Sequence, residues 1–221
     1  MVVNRSQAAG GTKSGYPPEP YDWFIEDGWC WDLLFEQERF RGEIVDPCCG
    51  EGTVIARAMT AGYDASGADL HDRQPFVADF PFRQLDFFGP RWDAPRCVDN
   101  VCFNPPYSYE KGIGARCIER ALHVARRKVA ALVPTKFLAS QERYSLFTGT
   151  PLKHVYWFSS RPSMPPGSLL RSGAVKRGGG KVDYCCMVWE WGFVGESSNR
   201  FLIRPQHLEK QRAKRAEKEA V

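Results

Sequence analysis

The sequence predicts a doubly wound α/β domain with a mostly parallel sheet and an antiparallel strand at one edge. Strand and helix patterns alternate from residue 43 onward, which is typical of βαβ units. The predicted strands are continuous apolar runs, as expected where helices cover both faces of a sheet. The last two strands lack a helix of comparable length between them, which favours antiparallel pairing. Ligands of such folds bind beyond the carboxyl ends of the strands.

The N-terminal and C-terminal segments differ in character from the middle of the chain. Residues 1–15 are small and polar, and we expect them to be disordered. The proline-rich YPPEP and the aromatic stretch after it predict a turn and then one or two helices. We expect residues 16–195 to form a single domain and residues 196–221, where charges of both signs alternate, to form a charged tail.

Each core element carries its own signal. Residues 43–46 predict a buried strand, and residues 53–62 predict a helix that Gly62 ends. The later elements follow the same alternation of apolar runs and helical periodicity. Strands are predicted at 63–70, 83–86, 98–104, 128–134, 152–159 and 183–191, helices at 111–125 and 139–147, and a variable basic loop at 161–182.

Composition restricts the class of protein. The 221 residues are 43% hydrophobic and 25% charged, which fits one globular domain. The net charge of +4 is compatible with a polyanionic partner. No apolar run approaches the ~20 residues of a membrane span, and no secretory signal is evident, so we expect a cytoplasmic protein. Eight cysteines without a CxxC pair predict reduced thiols and no metal site.

A glycine turn follows the first strand, in IVDPCCGEGTV at residues 44–54. The strand ends at Asp46, and Gly50 and Gly52 allow backbone to approach a ligand closely. The pattern is not GxGxxG and lacks the lysine of a P-loop, which disfavours a dinucleotide or a triphosphate. Two further acids end strands: Asp69 is suited to ribose hydroxyls, and Asp86 with Phe87 is suited to adenine. Each acid alone is more often a turn or capping residue.

The fourth strand ends in CFNPPYS, at residues 102–108. The order of these motifs, from the glycine turn through the two acids to NPPY, resembles the class I S-adenosylmethionine-dependent methyltransferases over about residues 40–160. The resemblance implies a seven-stranded Rossmann-like sheet and S-adenosylmethionine as cofactor. It implies cofactor contacts from Asp46, Pro47, Gly50, Gly52, Asp69, Leu70, Asp86, Phe87 and Asn104. YPPEP is similar to an N-terminal element of amino-methyltransferases and adds Tyr16, although that element's threonine is absent; a packing role is the alternative.

Within this fold the NPPY tetrapeptide is similar to that of enzymes that methylate an amino nitrogen conjugated to a ring or carbonyl. The resemblance implies that the side-chain oxygen of Asn104 and the carbonyl of Pro105 accept the amino hydrogens, with Pro106 fixing the backbone. Tyr107 would stack on the planar acceptor, including a base flipped out of a duplex. The alternative is a rigid turn that leaves a strand.

Three acceptor classes share NPPY: adenine in DNA, guanine in ribosomal RNA and glutamine in release factors. The glycine loop precedes NPPY, as in one group of DNA adenine methyltransferases, and the residues before 43 are too few for the domain that the other two classes usually add. The closing segments are similar to small phage-type DNA adenine methyltransferases. We therefore expect adenine in DNA as the acceptor, with RNA, protein glutamine or a non-enzymatic nucleic-acid-binding subunit as alternatives. Phosphate contacts are expected from Arg161, Arg171, Lys176, Arg177 and Lys181.

Overall fold

A computed structural model describes residues 16–219, so the prediction for residues 1–15 lies outside the described residues. The eight strands are β1 Ile44–Asp46, β2 Ala65–Asp69, β3 Phe82–Gln84, β4 Val98–Phe103, β5 Ala125–Pro134, β6 Leu152–Phe158, β7 Tyr184–Glu190 and β8 Ser198–Leu202. The six α-helices are α1 Trp29–Gln37, α2 Thr53–Thr60, α3 Ile113–Val124, α4 Tyr144–Thr148, α5 Gly167–Arg171 and α6 Pro205–Glu219. Short 3₁₀ turns lie at Pro20–Asp22, Pro90–Trp92, Thr135–Leu138 and Gln141–Arg143.

The strands form one sheet in the order β3-β2-β1-β4-β5-β7-β6-β8. Only the pairings of β7 are antiparallel among those described, so the predicted doubly wound, mostly parallel α/β fold is confirmed. Two details differ from the prediction. The antiparallel strand β7 lies inside the sheet, between β5 and β6, and an eighth strand forms the edge.

The C-terminal segment is part of the sheet, which the predicted tail at 196–221 did not include. Strand β8 pairs in parallel with β6, and α6 follows it. Two hydrogen bonds attach this segment to the rest of the domain. Trp157 Nε1 of β6 donates to the side chain of Asn199, and Ser160, in the loop after β6, is hydrogen-bonded to His207. The sequence pattern did not indicate this strand, because Leu202 is its only buried residue and the strand therefore lacks an apolar run.

Two apolar layers cover the two faces of the sheet. Helices α1 and α2 supply one layer, with Trp31, Leu34 and Ile55 fully buried. Helix α3 supplies the other, with Ile118 and Ala121 fully buried. Because helices cover both faces of the sheet, a ligand can reach it at the ends of the strands, where loops can form a site.

Three further observations concern membrane crossing, metal binding and the cysteines. None of the helices in the described part of the chain has the length and apolarity that a membrane crossing would need. Within residues 16–219, no group of three or more His, Cys, Asp or Glu side chains is arranged to hold a metal ion. All eight cysteines are unpaired thiols, and six of them are buried.

Both the backbone conformation and the available space require glycine at position 52, at the start of α2. Its φ is +89°, and a Cβ there would lie 2.2 Å from Cε1 of Phe80. Gly62 has nearly the same φ, +88°, but a Cβ there would meet no described atom within 4 Å. Alanine substitutions at Gly52 and Gly62 therefore separate the cost of backbone strain from the cost of the steric clash with Phe80.

Gly52→Ala is expected to lower the free energy of unfolding by about 3 kcal/mol, because strain and overpacking add. Gly62→Ala should cost about 1 kcal/mol, from strain alone. Urea denaturation followed by tryptophan fluorescence measures both values. Equal losses in the two variants would show that Phe80 does not constrain the glycine turn.

Candidate active site

A cavity of about 820 Å³, including its open mouth, lies at the carboxyl ends of β1, β2 and β4. The lining comes from the glycine turn, the three strand ends and the segment before α1. It includes Tyr21, Asp22, Trp23, Glu26, Asp46, Pro47, Gly50, Asp69, Leu70, His71, Arg73, Asp86, Phe87, Phe88, Asn104, Pro106 and Tyr109.

Hydrogen bonds join the glycine turn to the end of β2. The amide of Gly50 donates to Asp69 Oδ2 at 2.9 Å, and the other oxygen of Asp69 accepts from the amide of His71 at 2.9 Å. Asp46 accepts from the amide of Cys48 at 2.9 Å, and its burial raises its pKa well above the usual range. Asp46, Pro47, Gly50 and Asp69 thus come together in one wall, as the sequence predicted for a common site.

Gly52 lies behind this wall, and its role is that of a helix N-cap in the left-handed conformation. Gly50 is in the wall, where a Cβ would lie 3.3 Å from Nε1 of Trp23. That indole nitrogen is buried and has no hydrogen-bond partner among the described residues. The Trp23 indole therefore packs close to the bare backbone of Gly50.

The end of β3 supplies the far wall of the cavity. Asp86 accepts from the amide of Phe88 at 2.8 Å. The ring of Phe87 packs against Trp92 and Phe103, with centroid distances of 5.4 and 6.2 Å, and is almost fully buried. Leu70 lines the same region and is 43% exposed, which makes it available to a ligand.

The NPPY segment places one polar side chain in the cavity. The amide nitrogen of Asn104 donates to Glu26 Oε2 at 3.2 Å and to the carbonyl of Phe24 at 3.5 Å. The hydroxyl of Tyr107 lies between the Asn104 oxygen and the carbonyl of Leu132 and shares its single proton between these two acceptors. The Asn104 side chain is therefore held at both ends of its amide group.

Of the residues described, the cavity lining includes Asn104 and Pro106 but neither Pro105 nor Tyr107. The Tyr107 ring packs between the two apolar layers, 6.5 Å from the ring of Tyr184, and burial raises its pKa. In this conformation Tyr107 contacts Asn104 from outside the cavity lining. The sequence predicted instead that the Tyr107 ring stacks on the acceptor. Tyr16 is likewise outside the lining found among residues 16–219.

The segment Tyr21–Glu26 forms a wall that sequence reasoning missed. The carboxylate of Asp22 accepts from the backbone amides of Tyr107 at 2.9 Å and Tyr109 at 2.8 Å, and also from that of Ser108. This carboxylate thus fixes the backbone directly after NPPY. The only sequence sign was a pair of acids among aromatic residues, and nothing in the pattern indicated a contact 85 residues away.

Acidic side chains outnumber basic ones in the cavity lining, although one of them, Glu51, pairs with Arg171 and Arg177 of the basic loop. Six carboxylates line the cavity, against two basic side chains, Arg73 and His71. The acids are Asp22, Glu26, Asp46, Glu51, Asp69 and Asp86. Burial raises the pKa of Glu26 and of Asp46, because neither charge is fully compensated in the protein. A ligand that carries positive charge complements such a lining.

Two tyrosines form an aromatic mouth, defined by Tyr21 and Tyr109. Their side chains are 51% and 40% exposed, and their ring centroids are 5.9 Å apart. His71 lies 4.3 Å from Tyr21. The pKa of Tyr109 is raised to about 12, chiefly by burial, so its hydroxyl stays neutral at physiological pH. The two rings meet edge to face, at 66° to each other, so a planar, uncharged ligand ring would stack against an exposed face of one of them.

The basic loop 161–182 is attached to the cavity wall through two of its arginines. Arg171 donates to the carbonyls of Gln74 and Pro75 at 2.9 and 3.0 Å and lies 4.7 Å above the ring of Trp23. Arg177 donates to the carbonyl of Glu26 at 2.8 Å. These two guanidinium groups therefore bind the protein itself in this conformation.

The other three basic residues of the loop lie nearer the surface. Arg161 pairs with Asp183 at 2.7 Å, and both side chains are more than half exposed. Lys176 and Lys181 are exposed. Of the predicted phosphate contacts, these three have the more accessible positions.

No family model matches the chain, and no curated protein sequence does either. Solved structures do match in fold. The modification subunit of a provisionally assigned type I restriction enzyme from Vibrio vulnificus is 13% identical, with a TM-score of 0.54, over 83% of this chain and 48% of that one. The chain thus spans about half the length of that subunit. A provisionally assigned RNA methyltransferase from Pyrococcus horikoshii is 16% identical, with a TM-score of 0.55, over 81% of this chain and 92% of that one.

The chain has the Rossmann-like methyltransferase fold. At these identities the likeness shows the fold alone, and the roles of the site residues stay predictions. A more distant match, at a TM-score of 0.46 and 14% identity over 78% of this chain and 43% of that one, is a 16S rRNA N2 G1207 methyltransferase from T. Thermophilus in complex with AdoMet and guanosine.

Proposed function

We propose that the protein transfers a methyl group from S-adenosylmethionine to the exocyclic 6-amino group of adenine in DNA. The observation that carries this proposal is that Asn104 of NPPY shares one cavity with Asp46, Gly50 and Asp69. A methyl donor held by the glycine turn and an amino acceptor held at Asn104 would then be neighbours. Proximity and alignment of this kind account for much of the rate of a displacement reaction.

The residues of the cavity fit the proposed cofactor. The acidic lining suits a ligand that carries sulfonium and ammonium charges. Asp69 has lone pairs beyond its two backbone contacts that would accept from ribose hydroxyls. Asp86 and the ring of Phe88 flank the space suited to adenine. When bound, the cofactor supplies an electrophilic methyl group.

The acceptor nitrogen is a poor nucleophile because its lone pair is delocalised into the ring. The Asn104 side-chain oxygen, by accepting one amino hydrogen, would draw the nitrogen toward a tetrahedral geometry; the Pro105 carbonyl, the second acceptor that the sequence predicts, lies outside the cavity lining among the described residues. That geometry localises the lone pair without a strong base. The rigid proline pair and the two contacts on the Asn104 amide keep these acceptors preorganised, so little reorganisation is needed on substrate binding.

The aromatic mouth favours a nucleobase over a glutamine side chain. Tyr21 and Tyr109 offer ring faces that compensate a flipped base for its lost stacking, whereas a glutamine amide gains little from them. The likeness to a restriction-enzyme modification subunit supports DNA as the polymer. RNA is the second candidate, favoured by the likeness to the Pyrococcus horikoshii protein.

Incubation with methyl-labelled cofactor and three acceptors tests the proposal. Duplex DNA, RNA transcripts and a glutamine-bearing peptide are offered separately, and the labelled product is identified. The proposal predicts label in DNA as N6-methyladenine. Label found only in RNA or peptide would contradict it. Cofactor binding without any transfer would favour a nucleic-acid-binding subunit of methyltransferase fold.

The exposed lysines of the basic loop give a further test of DNA contact. Lys176→Ala with Lys181→Ala should reduce the slope of log Kd against log salt by about 2, because two phosphate contacts are lost. Fluorescence anisotropy with labelled duplex at several salt concentrations measures the slope. Lys210→Ala with Lys214→Ala makes the same charge change on α6 and should leave the slope unchanged. An unchanged slope in the loop variant would remove these lysines from the DNA interface.

A further inference from the structure

Glu26 is a buried carboxylate at the wall of the cavity that no motif predicted. Its residue exposure is 6%, and burial raises its pKa. One carboxylate oxygen accepts from Asn104 Nδ2 at 3.2 Å, and the other accepts from Trp31 Nε1 at 3.2 Å. Burying a carboxylate is costly, and both of its oxygens are committed to neutral donors here. That arrangement calls for a reason beyond packing.

The contact with Asn104 determines which way the amide faces. An asparagine amide has two N–H donors and one oxygen with two lone pairs. Tyr107 donates to one lone pair of the Asn104 oxygen, which leaves the second for an amino hydrogen of an acceptor. If the amide were flipped, its NH₂ group would face the hydroxyl of Tyr107 and its oxygen would face Glu26. The carboxylate disfavours that state, because it would place two acceptors against each other.

We propose that Glu26 is a positioning residue that fixes the orientation of the Asn104 amide and polarises it toward the acceptor amine. This inference rests on the proposed amino-methyltransferase function. A carboxylate that accepts from Nδ2 draws electron density through the conjugated amide onto the side-chain oxygen. The oxygen then becomes a stronger acceptor for the amino hydrogen. Glu26 thereby acts on the reaction without touching the reacting atoms.

Two other roles for Glu26 make different predictions. The carboxylate would bind the cofactor's ammonium group if it contacted the ligand directly, since Glu26 lines the same cavity as Asp46. Alternatively, Glu26 would only hold Trp31, which is fully buried in the layer around α1. The first role predicts a loss of cofactor affinity. The second predicts a loss of stability with no specific effect on turnover.

The test compares Glu26→Gln and Glu26→Ala with Trp31→Phe, which removes the second donor to Glu26 but leaves Asn104 untouched. Glu26→Gln keeps an oxygen for Asn104 and loses the charge, so kcat should fall about 10-fold. Glu26→Ala removes the carboxylate contact and leaves the Asn104 amide held only by Phe24 and Tyr107 among the described residues, and kcat should fall about 100-fold. In both, the cofactor Kd and the KM for DNA should stay within about twofold of wild type, since only transition-state stabilisation is lost. Trp31→Phe should retain kcat.

A spectroscopic measurement tests the contact between Glu26 and Asn104 without relying on turnover. The side-chain amide resonance of Asn104, assigned by its absence in Asn104→Ser, should shift upfield in proton frequency when Glu26→Gln weakens the hydrogen bond. Any one of three results would overturn the proposal. They are an unchanged Asn104 resonance in Glu26→Gln, an unchanged kcat in a folded Glu26→Ala protein, and a loss of cofactor affinity with kcat retained. If the wild-type protein methylates no acceptor, the proposed function fails, and the resonance shift still reports whether Glu26 holds Asn104.

Discussion

Asn104→Ala is expected to lower methyl transfer at least about 100-fold while leaving the cofactor Kd within about twofold of wild type. The substitution removes a preorganised polar group aimed at the reacting nitrogen, and losses of about 10²–10³ in kcat are typical of such changes. Cofactor affinity should persist because the glycine turn and Asp69 are joined by hydrogen bonds that do not involve Asn104. Steady-state transfer to DNA measures kcat, and calorimetry measures the Kd.

Asn199→Ala is a matched control for that variant. Asn199 lies on the edge strand β8, where its side chain accepts from Trp157 Nε1, and it is exposed. Its loss should leave both transfer and cofactor binding unchanged. A large rise in the cofactor Kd for Asn104→Ala would contradict the role in the acceptor site and assign Asn104 to the cofactor.

The second large effect is expected for Asp69→Ala, which should raise the cofactor Kd about 100-fold. Two hydrogen bonds to a charged oxygen acceptor are lost from the ribose, at about 1.5 kcal/mol or more each. The variant also releases the amide of Gly50, which Asp69 holds in the glycine turn. Calorimetric titration with the cofactor product or a non-reactive analogue measures the change.

Asp72→Ala is the control for Asp69. Asp72 is three residues further along, exposed, and accepts from the amide of Gln74 in a similar turn. It is not among the cavity-lining residues in the described chain. The cofactor Kd should not change in this variant. Equal effects of the two substitutions would indicate a loss of loop structure, and an unchanged Kd for Asp69→Ala would put the ribose elsewhere.

Sequence was sufficient for the fold and for the grouping of the strand-end side chains in one cavity, because local signals mark both. Apolar runs and helical periodicity locate the strands and helices, and parallel strands bring their carboxyl ends to one edge. Asp46, Asp69, Asp86 and Asn104 all follow strands, so their meeting in one cavity could be predicted. A glycine turn adds a conformational requirement that sequence shows directly, as at Gly50, whose φ is +54°.

The remaining features depend on contacts between distant segments. Asp22 and Glu26 bind backbone and side chain about 80 residues away, and no local pattern encodes such a partner. Arg171 and Arg177 resembled phosphate ligands because a basic loop usually faces solvent, yet both donate to backbone carbonyls of the protein itself, Arg171 to that of Gln74 and Arg177 to that of Glu26. The inward ring of Tyr107 likewise reflects the space between two apolar layers, which only the folded chain defines.

Nucleoside analysis of DNA from cells that express the protein tests the central claim most directly. The host should lack adenine methylation of its own, and the Asn104→Ala protein should be expressed to the same level as a control. We expect N6-methyladenine in DNA from cells with the wild-type protein and none with Asn104→Ala. DNA without N6-methyladenine despite abundant folded protein, or equal methylation with Asn104→Ala, would contradict the claim.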